Sequence, residues 1–125
     1  MSGEIFVFGS NLNGAHGAGS AKEAHRNWGA VYGQAVGLQG NSYAIPTKDR
    51  RYRTLPIPAI IPYVDEYIDF VERNPELQFR MVAIGCGLAG YQPSEMAPLF
   101  GKLLGKKNVV MPDEFVKVLK MRKMR

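Results

Sequence analysis

The chain has 125 residues, 46% hydrophobic and 22% charged, with a formal net charge of +5; this balance suits one globular domain with one core and favours polyanionic partners such as nucleotide phosphates or nucleic acid. Its lone cysteine, Cys86, excludes an internal disulfide and a cysteine-built metal centre. The stretch "MSGEIFVFGS" (1–10) has neither the basic nor the long apolar segment of an export signal, and no run approaches roughly 18 apolar residues, so a soluble cytoplasmic protein is expected, with no membrane contact, no metal and no cofactor.

"EIFVFGSN" (residues 4–11) is short, apolar and rich in aromatic and β-branched residues, which predicts a buried strand. "GAHGAGSA" (14–21) then places three glycines in six residues. Glycine reaches positive φ and lets other atoms approach the main chain, at an entropy cost of about 0.5–1 kcal/mol each; a phosphate is the usual beneficiary. Ser20, with Glu23 three residues on and Gly29 as a stop, predicts a short helix capped by the serine, its first amides facing the loop. "NSYAIPTK" (41–48) reads as a second strand and "KDRRYRTLP" (48–56) as an exposed basic excursion. Apolar residues at 60, 61, 64, 67, 68 and 71 predict a helix over 59–72, with Asp65, Glu66, Asp69 and Glu72 on its other side. "QFRMVAIG" (78–85) predicts a buried strand running into a second glycine loop, "GCGLAGY" (85–91), followed by a helix from Ser94 with Met96, Phe100 and Leu103 inward. "NVVM" (108–111) is a short strand, and Pro112, Asp113 and Glu114 suit the first turn of a closing helix, whose basic end (117–125) reads as a solvated tail.

Strands alternating with helices predict an α/β layered fold of 1–125 as one domain, with ligands bound beyond the carboxyl ends of the strands. Both glycine loops fall there, and side by side they would form one edge able to hold a diphosphate. No Gly-Lys-Ser/Thr closes the first loop, which excludes a Walker A motif, and its glycines at 14, 17 and 19 have the wrong order for a dinucleotide fingerprint.

Taken together, "HGAGSA" (16–21), "AIPTKD" (44–49) and "VAIGCGLAGY" (82–91) resemble the macro domain superfamily of ADP-ribose-binding modules. Within it the chain looks most like the branch of DNA ADP-ribosyl glycohydrolase antitoxins and terminal ADP-ribose protein glycohydrolases. The resemblance implies a layered α/β/α fold with a mixed central sheet, here in compact, truncated form. It implies that Asn11 contacts the distal ribose, that Gly17, Ala18 and Gly19 approach the diphosphate and that ribose, and that Gly85, Cys86, Gly87, Leu88, Ala89 and Gly90 wrap the phosphates. Lys48 falls on the lysine used in de-ADP-ribosylation, by attack on or stabilisation of the anomeric carbon, and an amine beside cationic Arg50 and Arg51 suits that work. The partner would be ADP-ribose, or protein or nucleic acid carrying it.

The chain departs from that pattern in three ways. Ala89 stands where some members carry an acidic residue, the first strand offers only Glu4, at the wrong end, in place of an adenine-reading aspartate, and the chain is short. Among individual residues, His16 is a candidate for phosphate contact, for an acid or for a structural role. Cys86 is a nucleophile if His16 or His25 comes near, and otherwise a small buried group. Tyr91 and Tyr32 could stack on adenine or pack, whereas Trp28 reads as core. Asp49 is the nearest carboxylate to Lys48, but a strand neighbour points to the opposite face unless the chain bends after Thr47. Three readings follow: a glycohydrolase, a non-catalytic ADP-ribose reader, and a nucleic-acid-binding protein using residues 48–53 and the C-terminus.

Overall fold

In strand β1 (Glu4–Asn11), Ile5 and Val7 enter one apolar cluster and Phe6 and Phe8 another, all four buried. Side chains alternate across a strand, so a strand covered on both faces reads as an unbroken apolar run. The structure, a computed structural model, describes residues 3–123. On either side of β1 lie parallel β3 (Ser42–Lys48) and β4 (Gln78–Met81). Parallel β5 (Val109–Val110) follows β4, and antiparallel β2 (Gly37–Gln39) edges β3, giving the mixed order β2-β3-β1-β4-β5.

Handedness of the crossovers then places the helices. The connection from β1 through α1 (Gly19–Asn27) moves one way across the sheet, to β3. Those through α2 (Ile57–Arg73) to β4, and through α3 (Pro93–Met96) with the 3₁₀ helix Ala97–Leu103 to β5, move the other way. Right-handed crossovers therefore put α1 alone on one face and the others on the opposite face. The two clusters agree: Ala21 and Ala24 of α1 pack on Phe6, Phe8 and Ala44, while Ile60, Val64, Tyr67, Phe100 and Phe115 pack on Ile5, Val7 and Ile45. This is the α/β layered architecture read from the sequence. Trp28 stacks on Phe6, ring centroids 5.2 Å apart, as core packing requires.

Several boundaries move. Helix α1 starts at Gly19 with Ala18 as its cap residue, and Ser20 is not a capping serine: its hydroxyl accepts from Gly9 N at 3.3 Å, tying the helix to β1. The predicted strand 78–85 ends at Met81, where the chain folds into tight turns with Ile84 N donating to Val82 O and Cys86 N to Ala83 O. The helix predicted from Ser94 starts at Pro93 in a capping box between Gln92 and Glu95, then tightens to 3₁₀ where Pro98 has no N–H to donate. Strand β2 lies outside the predicted elements, three residues being too few to show alternation. Helix α2 spans 57–73 and buries the expected face except Ile61, which is exposed together with Pro62. The closing helix α4 (Asp113–Lys123) ends on Lys120, Arg122 and Lys123, exposed and favourably placed against the helix dipole. Residues 124–125 of the basic end lie outside the described residues. No helix among the described residues is long and apolar enough to cross a membrane.

Candidate functional site

Strands β1 and β4 are neighbours, and their outgoing connections leave in opposite directions, which opens a crevice beyond their carboxyl ends. The two glycine loops are those connections. They line a single cleft of about 850 Å³ together with the end of β3 and the start of α4, within the size range of small-molecule sites.

At the β3 side, the register fixes a pair. Ser10 pairs with Pro46 but Asn11 with Lys48, so one residue, Thr47, is skipped between them. This bulge sets Asn11 and half-buried Lys48 side by side at the cleft. The Asn11 side chain is committed to the first loop: its Oδ1 accepts from Asn13 N and Ala15 N, both at 3.1 Å, and its Nδ2 donates to Ala15 O at 2.9 Å. Asn11 therefore shapes the loop as well as lining the cleft.

The glycines of that loop have different tasks. Gly14 lies at φ +69°, and a Cβ there would meet the Gly33 carbonyl carbon at 2.5 Å, so what approaches its backbone is the protein's own chain. Gly17, Ala18 and Gly19 are exposed and line the cleft. The first turn of α1 has no intrahelical partners for its amides, and Gly19, Ser20 and Ala21 of that turn are cleft residues.

The second loop supplies Gly85, Cys86, Gly87, Leu88 and Ala89 to the cleft wall. Leu88 reaches across to the first loop, its Cδ1 standing 3.1 Å from where a Gly19 Cβ would be. Thr54 Oγ1 donates to Ala89 O at 2.7 Å, fastening the segment after Lys48 to this loop. Burial, then the carboxylates of Glu114 and Glu95, push the Cys86 thiol up. The Cys86 sulfur is thus a neutral thiol near neutral pH, and the histidines that a nucleophile would need pack elsewhere, against Phe8 and Tyr32.

Three candidates leave the cleft wall. His16 is 1% exposed, packed edge-on against Phe8. Its Nε2 donates to Val31 O at 2.8 Å and to Gln39 Oε1 at 3.2 Å, an oxygen that already accepts from Val31 N. His16 is accordingly a structural post behind the first loop, not a ligand contact. Tyr91 donates its hydroxyl to Leu55 O at 2.7 Å and pins the segment before α2. Gly90, at φ +86°, turns the chain behind the loop. Neither Tyr91 nor Gly90 lines the cleft.

Asp49 cannot serve as the carboxylate beside Lys48. Its Oδ1 accepts from Arg51 N and Arg53 N at 2.8 and 2.9 Å, and its Oδ2 takes the Arg53 guanidinium at 3.0 Å. The backbone amide of Arg53, more than any other group, holds that carboxyl below the usual carboxylate range. The cleft's acidic side chain is instead Glu114 of α4. It belongs to the β5 side, and three strand spacings from β3 to β5 amount to about 14 Å. Tyr32, a stacking candidate from the sequence, lines the cleft, and Tyr52, Ser10 and Thr47 line it without having been singled out for it. Position alone was a usable signal for Glu114 and Tyr52, since each follows the carboxyl end of a parallel strand within a few residues. Compared with models of known families, with curated proteins and with solved structures, the chain matches none.

Proposed function

We propose that this cleft binds ADP-ribose or a related NAD-derived nucleotide through its two glycine loops, and that Lys48 acts in cleaving an ADP-ribosyl linkage. One observation carries the reading: two glycine loops on adjacent strands share one cleft with a lysine that a bulge sets opposite Asn11. Exposed backbone at Gly17 to Gly19 and Gly87, with the amides opening α1, suits a diphosphate, which needs close approach and N–H donors. A ribose beside Asn11 would present its anomeric carbon to the Lys48 amine, which either attacks that carbon as the carrier leaves with the bonding pair and takes a proton, water then displacing the lysine to release ADP-ribose, or stabilises through its lone pair the positive charge developing there while water attacks. A cytoplasmic setting goes with this reading.

A second reading is a non-catalytic reader of ADP-ribose. It is favoured by the cleft's carboxylate, Glu114, lying at the far side from Lys48, and by the commitment of Asp49 to its own loop.

Calorimetric titration with ADP-ribose, using ADP and AMP as controls, tests the binding half. Micromolar binding of ADP-ribose and much weaker binding of AMP is the expected result; no binding refutes the assignment. Lys48→Ala is expected to keep that affinity while abolishing release of ADP-ribose from modified protein or nucleic acid. Absence of release by the unaltered protein, with ADP-ribose binding intact, selects the reader.

A further inference from the structure

Cleavage at Lys48 needs a proton for the departing carrier, because an oxygen or nitrogen that leaves with the bonding pair leaves poorly as a bare anion. Most side chains of the cleft that could carry one are committed or stand elsewhere. Ser10 Oγ donates to Ala35 O at 2.6 Å and Thr47 Oγ1 to Ser10 O at 3.4 Å. The Cys86 thiol donates to Ile84 O at 3.7 Å. Tyr32 stands over the first loop, its hydroxyl 3.2 Å from where a Gly17 Cβ would be, and Glu114 belongs to the β5 side.

Tyr52 is held at the Lys48 end. Lys48 pairs antiparallel with Thr54, and Asp49 N donates to Arg53 O at 2.8 Å, so residues 48–54 fold back as a closed turn that starts at the lysine. That turn is tied to both glycine loops: Asn13 Nδ2 donates to Arg50 O at 2.6 Å, and Thr54 Oγ1 to Ala89 O at 2.7 Å. Tyr52 lies between the two ties and lines the cleft together with Lys48. Among the described residues it is the one non-glycine at positive φ, 63°. A side chain with a Cβ is strained there, and such strain persists where the surroundings impose it, most often at functional sites. The ring is 53% exposed, and its hydroxyl bonds to no protein group among the described residues.

We propose that Tyr52 is the general acid of the cleavage and gives its phenolic proton to the leaving carrier. Phenols keep their proton at neutral pH, where carboxylic acids have lost theirs. The assignment rests on the reading above that Lys48 acts on an ADP-ribosyl linkage. As the bond from the anomeric carbon to the carrier breaks, its electron pair goes to the carrier's oxygen or nitrogen, and that atom takes the Tyr52 proton. Water then attacks the anomeric carbon, the lysine nitrogen takes back its electron pair where it had bonded there, and one proton of the water returns to the Tyr52 oxygen. ADP-ribose and the protonated carrier are released, with both side chains as they began.

Two synthetic ADP-ribosides test this without any carrier to recognise. Phenyl ADP-ribose loses a phenoxide that leaves badly without a proton, whereas para-nitrophenyl ADP-ribose loses a nitrophenoxide that leaves unaided. The unaltered protein should cleave both. Tyr52→Phe keeps the ring and the turn, so ADP-ribose affinity by calorimetry should be unchanged. Its kcat on phenyl ADP-ribose should fall about a hundredfold, the lower end of what general acid catalysis supplies, while its kcat on the para-nitrophenyl compound should hold. Equal losses on both compounds, or no loss on either, would overturn the role of Tyr52 and leave that of Lys48 standing. Cleavage of the para-nitrophenyl compound alone by the unaltered protein would overturn it too, since no proton would then be reaching the leaving oxygen. If the unaltered protein binds ADP-ribose and cleaves neither compound, the cleavage reading falls and the proton donor falls with it.

Discussion

The Tyr67 ring is wholly buried between Tyr43, Phe79 and Phe100, and its hydroxyl has no hydrogen-bond partner among the described residues. Burial pushes that phenol far up, so it is neutral at any working pH. A buried, unmatched hydroxyl costs free energy that a hydrogen does not, and Tyr67→Phe should therefore leave stability unchanged or raise it by about 1 kcal/mol in denaturant titration. A loss of that size would mean that the hydroxyl has a partner after all. Cys86 gives a second test. Glu114 is one of the carboxylates that push its thiol up, so near pH 8 Glu114→Gln should speed alkylation of Cys86 about twofold by raising its thiolate fraction. An unchanged rate would remove Glu114 from that end of the cleft. At this scale the sequence was readable where a residue's task follows from its type. Trp28 and Phe6 are examples. It was unreadable for His16 and Asp49, whose polar atoms could have faced a ligand and instead hold loops, and for Asn11, which holds its loop while lining the cleft. Only the folded chain shows where a side chain's hydrogen bonds go.

Among the elements, the segment 49–53 is built by one carboxylate. Asp49 accepts from two backbone amides and one guanidinium of its own loop, and those bonds have their charge-assisted strength only while it is ionised. A carboxyl held low in the folded protein stabilises above its ordinary pKa of about 3.9 and stops doing so as pH falls through the lower folded value. The loop's bonds are thus at full strength at neutral pH and weaken only in stronger acid. Asp49→Ala should open it at neutral pH: trypsin should cut after Arg50, Arg51 or Arg53 at a dose that spares the unaltered protein, with little change in Tm because the loop is exposed. Asp49→Asn, which keeps the amide-accepting oxygen, should fall between. The long elements were legible because period speaks plainly over many residues, as in α2 with Ile60, Val64, Tyr67, Ile68 and Val71 inward. Short ones were not. Ser20 and Glu23 carry the letters of a capping box, yet the close approach of Gly9 takes the serine hydroxyl and moves the cap to Ala18.

At the scale of the molecule, the order of strands could not be read from any one of them, but it decides the site. Two glycine loops separated by more than sixty residues meet because β1 and β4 pair and their connections diverge. The bulge that aligns Asn11 with Lys48, and the distance from Lys48 to Glu114, are likewise products of pairing, invisible in a linear pattern. That same arrangement picks the substitution that best tests the cleft. Gly19→Glu would put a carboxylate in the first loop, but Gly19 lies at φ +58° against Leu88, so a failure there mixes strain with repulsion. Gly87 has no such strain, nothing lies within 4 Å of a Cβ added to it, and it lines the cleft. Gly87→Glu should therefore fold as the unaltered protein does and repel a diphosphate. A ligand at about one hundred times its Kd stabilises the folded state by about 2.7 kcal/mol, roughly a 10 °C rise in Tm for a chain of this size. ADP-ribose should produce that rise in the unaltered protein and almost none in Gly87→Glu, whose own Tm stays within about 2 °C. Equal rises in both would move the diphosphate away from the second glycine loop, because a carboxylate on its wall could not be ignored by an anion bound there.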